Sequence, residues 1–429
     1  MDETIRESLR YIERHLRAGI TLADLAGEAG YSPWHFSRLF AGATGQSVAQ
    51  YMLRRRLDHA LAEMAGGASA VDAALSYGFD TYSGFYRAFV KLYGCSPRKY
   101  LRIHGGHDLM RMEEPMRHFT KKELRQALAR WGMEDREIGD VPVMYEGRPD
   151  GSAWQVGDEH CLRTGDRARL LRDLQVTGAL VAEGIAAEAP VPTLDGQAFA
   201  DGEDVFLLSR VMPGEALRVS DCYGDQGTAR AYGEGIARLH AALKHVSIPC
   251  DRGDLLGSVT GWALPAARRL DEQWSMGLGE AFFAGWQERF AGLYPKLPRQ
   301  PIHRNLCPSY VLMRGGQVAG FTRFDMIEEE ARLFDLCYAA TGILSETADE
   351  ARYPAWLGVL EGMLRGYDAL SPLTREEKAA VHDMLCAIQM ICVAFFDGQE
   401  AYREVARRNR AMLRFIAAQR GAIEGMLHE

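Results

Sequence analysis

Trp34, Ser37 and Arg38 fall within five residues of one another, and Tyr82, Ser83, Tyr86 and Arg87 form a second such set later in the chain. Their types suit the reading of a nucleic-acid duplex. A guanidinium can pair with guanine O6 and N7, serine and tyrosine hydroxyls reach phosphates, and an indole offers apolar contact to thymine methyl groups. Taken singly, Trp34 or Tyr86 could instead pack at a domain edge.

Both sets sit in a pattern that occurs twice. SRLFAGATGQSVAQYM returns about 49 residues later as YRAFVKLYGCSPRKYL, so Arg38, Phe40, Gly45, Ser47 and Tyr51 recur as Arg87, Phe89, Gly94, Ser96 and Tyr100. A period of that length marks a duplicated supersecondary unit. Each copy follows a short helical stretch and a glycine, Leu22 to Ala29 before Gly30 and Val71 to Tyr77 before Gly78, which is the grammar of a helix-turn-helix. Ser32 can cap the next helix and Pro33 suits its first turn, which predicts a helix over Trp34 to Ala41. Phe36, Leu39 and Phe40 then face Leu22, Leu25 and Ala26, leaving Trp34, Ser37 and Arg38 on the other side. In the second copy Phe85 and Phe89 turn inward, and Tyr82, Ser83, Tyr86 and Arg87 turn outward. A run free of proline and glycine, Val48 to Met64, reads as one helix joining two reading heads. Heads held about one DNA turn apart could enter successive major grooves, roughly 34 Å along the duplex. Arg54, Arg55 and Arg56 are then available to phosphates or to acidic partners within the domain.

These motifs give residues 1 to 105 a specific likeness. IRESLRYIERHLRAGITLADLAGEAGYSPWHFSRLF, then GQSVAQYMLRRRL, then GFDTYSGFYRAFVKLYGCSPRKY resemble the DNA-binding domain of the AraC/XylS family in order and spacing, in particular its MarA, SoxS and Rob subgroup. The resemblance implies that Trp34, Ser37 and Arg38, with Tyr82, Ser83, Tyr86 and Arg87, contact bases or phosphates of double-stranded DNA. Tyr82 and Gly84 depart from the subgroup, so its operator sequence does not carry over.

Charge divides the chain the same way. Residues 1 to 105 hold 13 basic and 10 acidic side chains, a net of +3; residues 106 to 429 hold 37 and 48, a net of −11. Nucleic-acid affinity therefore belongs to the first quarter. Neither a run of 18 apolar residues nor a signal-peptide core at MDETIRESLR is present, so the expected location is cytoplasmic with no membrane partner. Eight cysteines, at 95, 161, 222, 250, 307, 337, 386 and 392, lack metal-ligand spacing and read as free thiols, with Cys307 a candidate redox sensor.

The stretch GGHDLMRMEEPMRH reads as a linker over 106–118, ahead of a helix at Lys121 to Trp131. Strand-like runs follow at Val141 to Tyr145, Ala153 to Val156 and His160 to Arg163, then a helix from Arg167 to Glu183 and the strand VFLLSRV. Beyond these the chain reads as helical, except around 302–325, where Tyr310 to Met313 and Val318 to Phe324 flank a glycine turn and read as a hairpin. A small sheet before a helical lobe is an α+β pattern. The fold class is thus multidomain: an all-α double helix-turn-helix domain, then an α+β two-lobed domain over 119–429, with the small lobe at about 119–215 and the helical lobe at about 216–429.

The second region also carries a resemblance. RLLRDLQVTGALVAEGI, VFLLSRVMPGEAL, YGEGIARLHAAL, IHRNLCPSYVL, VAGFTRFD and LFDLCYAA are similar, in order and spacing, to the aminoglycoside phosphotransferase and choline kinase family, whose fold is kinase-like. Phosphoryl transfer in that fold needs a base, metal ligands, and a cation for the phosphates with its carboxylate partner. The family writes the base and first metal ligand as His-Gly-Asp-Leu-His-Pro-x-Asn. Here the resemblance puts Asn305 at the base, Tyr310 and Arg323 at the two metal ligands, Arg163 at the phosphate cation and Gln175 at its carboxylate. An amide cannot take a proton near neutral pH, and a guanidinium repels Mg²⁺. EGRPDGSAWQV is only faintly like the family's nucleotide loop, whereas His303 and Asp335 match its structural positions.

The resemblance therefore implies a pseudokinase, with no catalytic residue, no cofactor and no metal. Arg323, Asp325 and Tyr310 are the ligand-cleft candidates. Arg323 would either pair with Asp325 or Asp335, or fill the metal position and hold an anion or lock the lobes. Asp325 and Glu328 to Glu330, with Trp262, Trp274, Trp286 and Trp356, would suit a cationic effector, or else form a solvated loop and a core. The expectation is a transcription regulator whose second domain is a small-molecule sensor or interaction module, with DNA, RNA polymerase and the effector as partners. The alternatives are an active small-molecule phosphotransferase with an autoregulatory DNA-binding domain, and a constitutive regulator whose large domain is a docking surface.

Overall fold

The computed structural model describes residues 3–93, 97 and 119–427, apart from positions 18, 45–46, 66–67, 143–148, 203, 225, 247–249, 348 and 398–401. Gly45, Gly94, Cys95, Ser96, Tyr100, the 106–118 linker, the distal half of the Val141 to Tyr145 strand and the start of EGRPDGSAWQV lie outside the described residues.

Among the described residues the N-terminal unit has the helices α1 (Glu3–His15), α2 (Leu22–Glu28), α3 (Pro33–Thr44), α4 (Val48–Ala65), α5 (Ala70–Ser76) and α6 (Tyr82–Tyr93). Local chemistry sets their ends. Thr21 caps α2 by accepting from Asp24 N, while the Asp24 carboxylate accepts from Thr21 N at 2.8 Å. Ser69 caps α5, Ser32 accepts from His35 N at the start of α3, and Thr81 accepts from Gly84 N ahead of α6. Gly30 and Gly78, both in the left-handed region, turn the chain between the helices of each pair. Leu25, Ala26, Phe36, Phe40, Tyr51, Leu57, Ala73, Ala74, Phe85 and Phe89 share one core, so α4 is a joint packed against both copies.

The second unit begins with α7 (Lys121–Leu128), capped by Thr120, and a five-stranded antiparallel sheet. Its strands are β1 (Ile138–Pro142), β2 (Pro149–Val156), β3 (His160–Thr164), β4 (Ala189–Pro190) and β5 (Phe206–Arg210), in the order β1-β2-β3-β5-β4. Helix α8 (Arg167–Ala182) follows β3, capped by Asp166. A second sheet sets β6 (Glu215–Ala216) against the hairpin. The helical lobe contains α9 (Val219–Gly224), α10 (Gln226–Leu243), α11 (Leu255–Ser258), α12 (Leu264–Trp274) and α13 (Gly279–Leu293). A strand β7 (Arg299–Ile302) leads into the hairpin β8 (Val311–Arg314) and β9 (Gln317–Phe321), and β10 (Glu328–Ala331) returns antiparallel to β7. The chain ends in α14 (Leu333–Ser345), α15 (Tyr353–Leu370), α16 (Arg375–Phe396), α17 (Arg403–Ala418) and α18 (Arg420–Gly425).

Helix α10 packs along α15 so closely that Cβ atoms at Gly233 and Gly366 would fall 2.0 and 2.2 Å from backbone carbonyl oxygens of the facing helix. Glycine is required there by contact, not by dihedral angle. Helix α16 is long and apolar enough to cross a membrane by length and composition, and 78% of that window is buried inside the lobe. Trp286 and Trp356 are core residues, bonded through their indole N–H groups to Asp383 O and Ala340 O, and so are not cleft aromatics.

Candidate functional site

Two places gather the residues singled out above. On the first, Trp34 and Arg38 lie on the outer face of α3, with Arg38 Cζ 4.8 Å from the indole centroid. Trp34 is 67% exposed. Ser83, Tyr86 and Arg87 are exposed on the matching face of α6, and Arg87 Nε donates to Ser83 O. Ser37 and Tyr82 are half-buried, with Tyr82 leaning toward Phe85 and Tyr86 at ring separations of 5.9 and 6.0 Å. Arg55 is not part of this surface. It is buried and donates to Glu13 through Nε and Nη2. His59 Nε2 lies 3.0 Å from the same carboxylate. Burial alone would raise the Glu13 pKa, but the hydrogen bonds from His59 and Arg55 outweigh it and bring it down to about 2.

The second place lies around the β8–β9 hairpin. Arg163, on β3, is 2% exposed and forms an ion pair with Asp173 on α8. Asp173 Oδ1 also accepts from Phe324 N at 2.6 Å, so one carboxylate ties sheet, helix and hairpin exit together. Gln175 does not hold the carboxylate position. It is exposed, because α8 turns Leu170, Asp173, Val176, Thr177 and Leu180 inward. A lone acid on an apolar helical stripe, ten residues after a strand arginine, was the legible signal for Asp173. Glu188 is a second neighbour of Arg163 at 3.5 Å. Burial raises the Glu188 pKa against the pull of Arg163, while Asp173 and Glu188 hold the Arg163 guanidinium protonated despite its own burial.

The loop from His303 to Tyr310 is built from its backbone. Asp335, at the start of α14, accepts from His303 N and Arg304 N at 2.8 Å each and lies 3.1 Å from His240 Nε2. His303 Nδ1 accepts from Asn305 N, so its Nε2 carries the proton donated to Thr322 O at 2.9 Å. Burial lowers the His303 pKa, in keeping with that neutral tautomer. Arg304 has φ 69°, the region that glycine takes freely. It is held there by those backbone bonds, by an ion pair with Glu328, and by the Phe334 ring 4.1 Å from its guanidinium carbon. Asn305 Oδ1 accepts from Tyr338 OH at 3.2 Å. Arg323, also at φ 69°, points its guanidinium over the Tyr310 ring at 5.5 Å and donates to Ser152 Oγ on β2 at 3.4 Å. The expected partner Asp335 is instead occupied by the loop. Asp325 is half-buried beside the hairpin, whereas Glu328 and Glu330 are buried on Arg304 and on Arg299 with Tyr294. These two carboxylates are structural, whereas Asp325 is half-buried and Glu329 lies 3.8 Å from Arg252 Nε. Cys307 is buried and its thiol is pushed up to about 12 by that burial, which removes the thiolate that redox sensing needs.

Comparison with known proteins follows the same division. A family model described as a helix-turn-helix domain matches residues 25–103. The right origin-binding protein of Escherichia coli K12 is 38% identical over 99 residues, covering 23% of this chain and 34% of that protein. The transposon Tn10 TetD protein of E. coli is 36% identical over 99 residues, 23% of this chain and 72% of its own length. The transcriptional activator AarP of Providencia stuartii is 35% identical over 111 residues, 25% of this chain and 82% of its own. The chain thus spans about a third of the length of the first of these relatives. Among solved structures, a microcompartment-associated aminopropanol kinase is similar with a TM-score of 0.53 at 15% identity, covering 72% of this chain and 99% of that one. An amicoumacin kinase solved with AMP-PNP and Ca²⁺ gives 0.51 at 14%, covering 71% and 96%. At these identities the likeness shows the fold, which is that of the aminoglycoside phosphotransferases and related kinases. By its N-terminal hundred residues, joined here to a kinase-like domain, the chain belongs to the AraC-type helix-turn-helix family of transcription regulators.

Proposed function

We propose that this chain is a one-component, cytoplasmic transcription regulator in which residues 1–105 read double-stranded DNA and residues 119–429 form a catalytically inactive kinase-like domain that senses a small molecule or docks a partner. Trp34, Ser37 and Arg38 on α3, and Tyr82, Ser83, Tyr86 and Arg87 on α6, are the DNA-contacting set, and RNA polymerase is the partner through which binding would act. The observation that supports the inactive reading is the pairing of Arg323 with Tyr310, the two residues that the motif resemblance puts at the metal-ligand positions. A guanidinium over a phenol does not fit a divalent cation. Asn305 adds to this, because an amide already accepting from Tyr338 cannot take a proton from an acceptor hydroxyl.

One observation favours the alternative of an active phosphotransferase. The buried Arg163–Asp173 pair keeps the phosphate-side cation and its carboxylate in place. Kinase-like neighbours that act on amine-bearing compounds make amines the first acceptors to try, and Asp325 would suit such a cation. Incubation of the full chain with ATP, Mg²⁺ and a panel of aminoglycosides and amino alcohols should give no phosphorylated product. Turnover that is lost in Asn305→Ala would overturn the inactive reading. A thermal-shift screen separates sensing from docking, because a ligand that binds only the folded state raises the melting temperature by mass action.

A further inference from the structure

An open cavity of about 530 Å³ lies in the helical lobe, between the α12–α13 turn, the start of α15 and the outer side of α17. None of its lining residues belongs to the Arg163, Asn305 and Arg323 group. Its walls are Met276, Phe282 and Phe415, with Tyr353 beneath. The space exists because α17 presents alanine at 411, 417 and 418 around Phe415, where longer side chains would fill it.

Its polar groups point to one charge sign. Helix α17 carries arginine at 403, 407, 408, 410 and 414 against a single acid, Glu404, in a region of the chain whose net charge is −11. Arg407 is engaged with Glu404 and Glu350, Arg408 with Ser345 O, and Arg410 lies over the Trp274 ring at 4.3 Å. Arg414 lines the cavity, is exposed, and meets no carboxylate among the described residues. Glu350, also on the wall, has its charge offset by Arg407. Tyr353 is 3% exposed, and its hydroxyl has no hydrogen-bond partner among the described residues. That hydroxyl is sealed from solvent, so only the Tyr353 ring faces the cavity.

We propose that this cavity is a binding site for a small, flat apolar carboxylate, its ring system against Phe415, Phe282 and Met276 and its carboxylate on Arg414. The volume falls within the range of ordinary small-molecule sites, and an arginine fork matches a carboxylate in two-point geometry. The site stands whether or not the hairpin cleft supports chemistry.

Isothermal titration of the full chain with 2-naphthoate, 2-naphthamide and 2-naphthylmethylamine tests it. The expected order has the carboxylate binding, with the amide at least about tenfold weaker and the amine weaker still, as the loss of a charge-assisted bond requires. Arg414→Ala should weaken naphthoate by about tenfold or more without moving the melting temperature, because Arg414 is exposed. Ala418→Leu, at the cavity edge, should abolish binding by filling it. Equal affinity for all three compounds, unchanged naphthoate binding in both variants, preference for the amine, or no heat with any probe would each overturn the proposal.

Discussion

At the scale of single residues, position in the buried pattern decides more than similarity to a motif. Asp173 and Gln175 lie two residues apart, yet one is sealed against a guanidinium and the other faces water. Asp173→Asn leaves Arg163 buried with a weakened partner, and breaking a buried pair costs about 3–5 kcal/mol. The transition of the kinase-like domain in urea should shift accordingly, while Gln175→Ala should stay within about 0.5 kcal/mol. Arg304 follows the same logic against its own backbone. Its left-handed conformation costs about 1–2 kcal/mol, which glycine would recover. Arg304→Gly nonetheless strands Glu328, which is 4% exposed, so the variant should be less stable than the parent in the same urea measurement. Reading the sequence located the departures at Asn305, Tyr310 and Arg323 because a motif frames them. It missed Asp173, which its place on the buried helical stripe marks, and it missed Glu188, Ser152 and Tyr338, which lie in separate parts of the chain and whose convergence no local spacing encodes.

Elements were legible where periodicity and caps agree, and least legible where charge is buried. The repeat fixed α2, α3, α5 and α6 with their turns, since apolar spacing, capping hydroxyls and glycines all point the same way. Strands β7 and β10 were hidden: Glu328, Glu329 and Glu330 read as a solvated acidic loop until Arg299 and Arg304 are seen to neutralise two of them inside the lobe. Helix α16 shows how closely an end can be tied to such a pair. Thr374 accepts from Glu377 N, and the Glu377 carboxylate accepts both from Thr374 N and from buried Arg332. Thr374→Ala removes a cap and should cost about 1 kcal/mol. Glu377→Ala should cost about 3 kcal/mol or more, because it also leaves Arg332 without its carboxylate. Thermal unfolding of the two variants checks that ordering. The α1–α4 contact adds a pH dependence. Because the Glu13 pKa is depressed from 4.5 to about 2 in the folded chain, its contribution is complete above about pH 4.5 and is lost as pH falls from there toward 2. Glu13→Gln should therefore flatten the acid limb of the N-terminal unit's stability in a denaturation series across that range.

For the whole molecule, charge and burial together separate arginines that sequence alone treats alike. The N-terminal unit is net positive within an acidic chain, yet only part of that charge faces outward. Arg38 and Arg87 lie exposed on equivalent helices, whereas Arg55 is committed to Glu13. If both helices read one duplex, binding is a joint property of two heads on a common core, and losing either should weaken it without unfolding the unit. Arg38→Ala and Arg87→Ala are each expected to raise the dissociation constant for a selected duplex by about tenfold, with unchanged melting temperatures. A variant that loses a base contact should relax sequence preference on one half of the site, whereas one that loses a phosphate contact should lower the salt slope by about 1 uniformly across sequences. Arg55→Ala should behave differently from both: it lowers the stability of the unit and uncovers Glu13, while the affinity of the fraction still folded is preserved. Fluorescence anisotropy across a salt series, read beside thermal melts of the same three variants, distinguishes these outcomes. An Arg55→Ala variant that melts like the parent yet fails to bind would move Arg55 to the DNA-reading surface, and Arg38→Ala and Arg87→Ala variants that bind normally would remove the two helices from it.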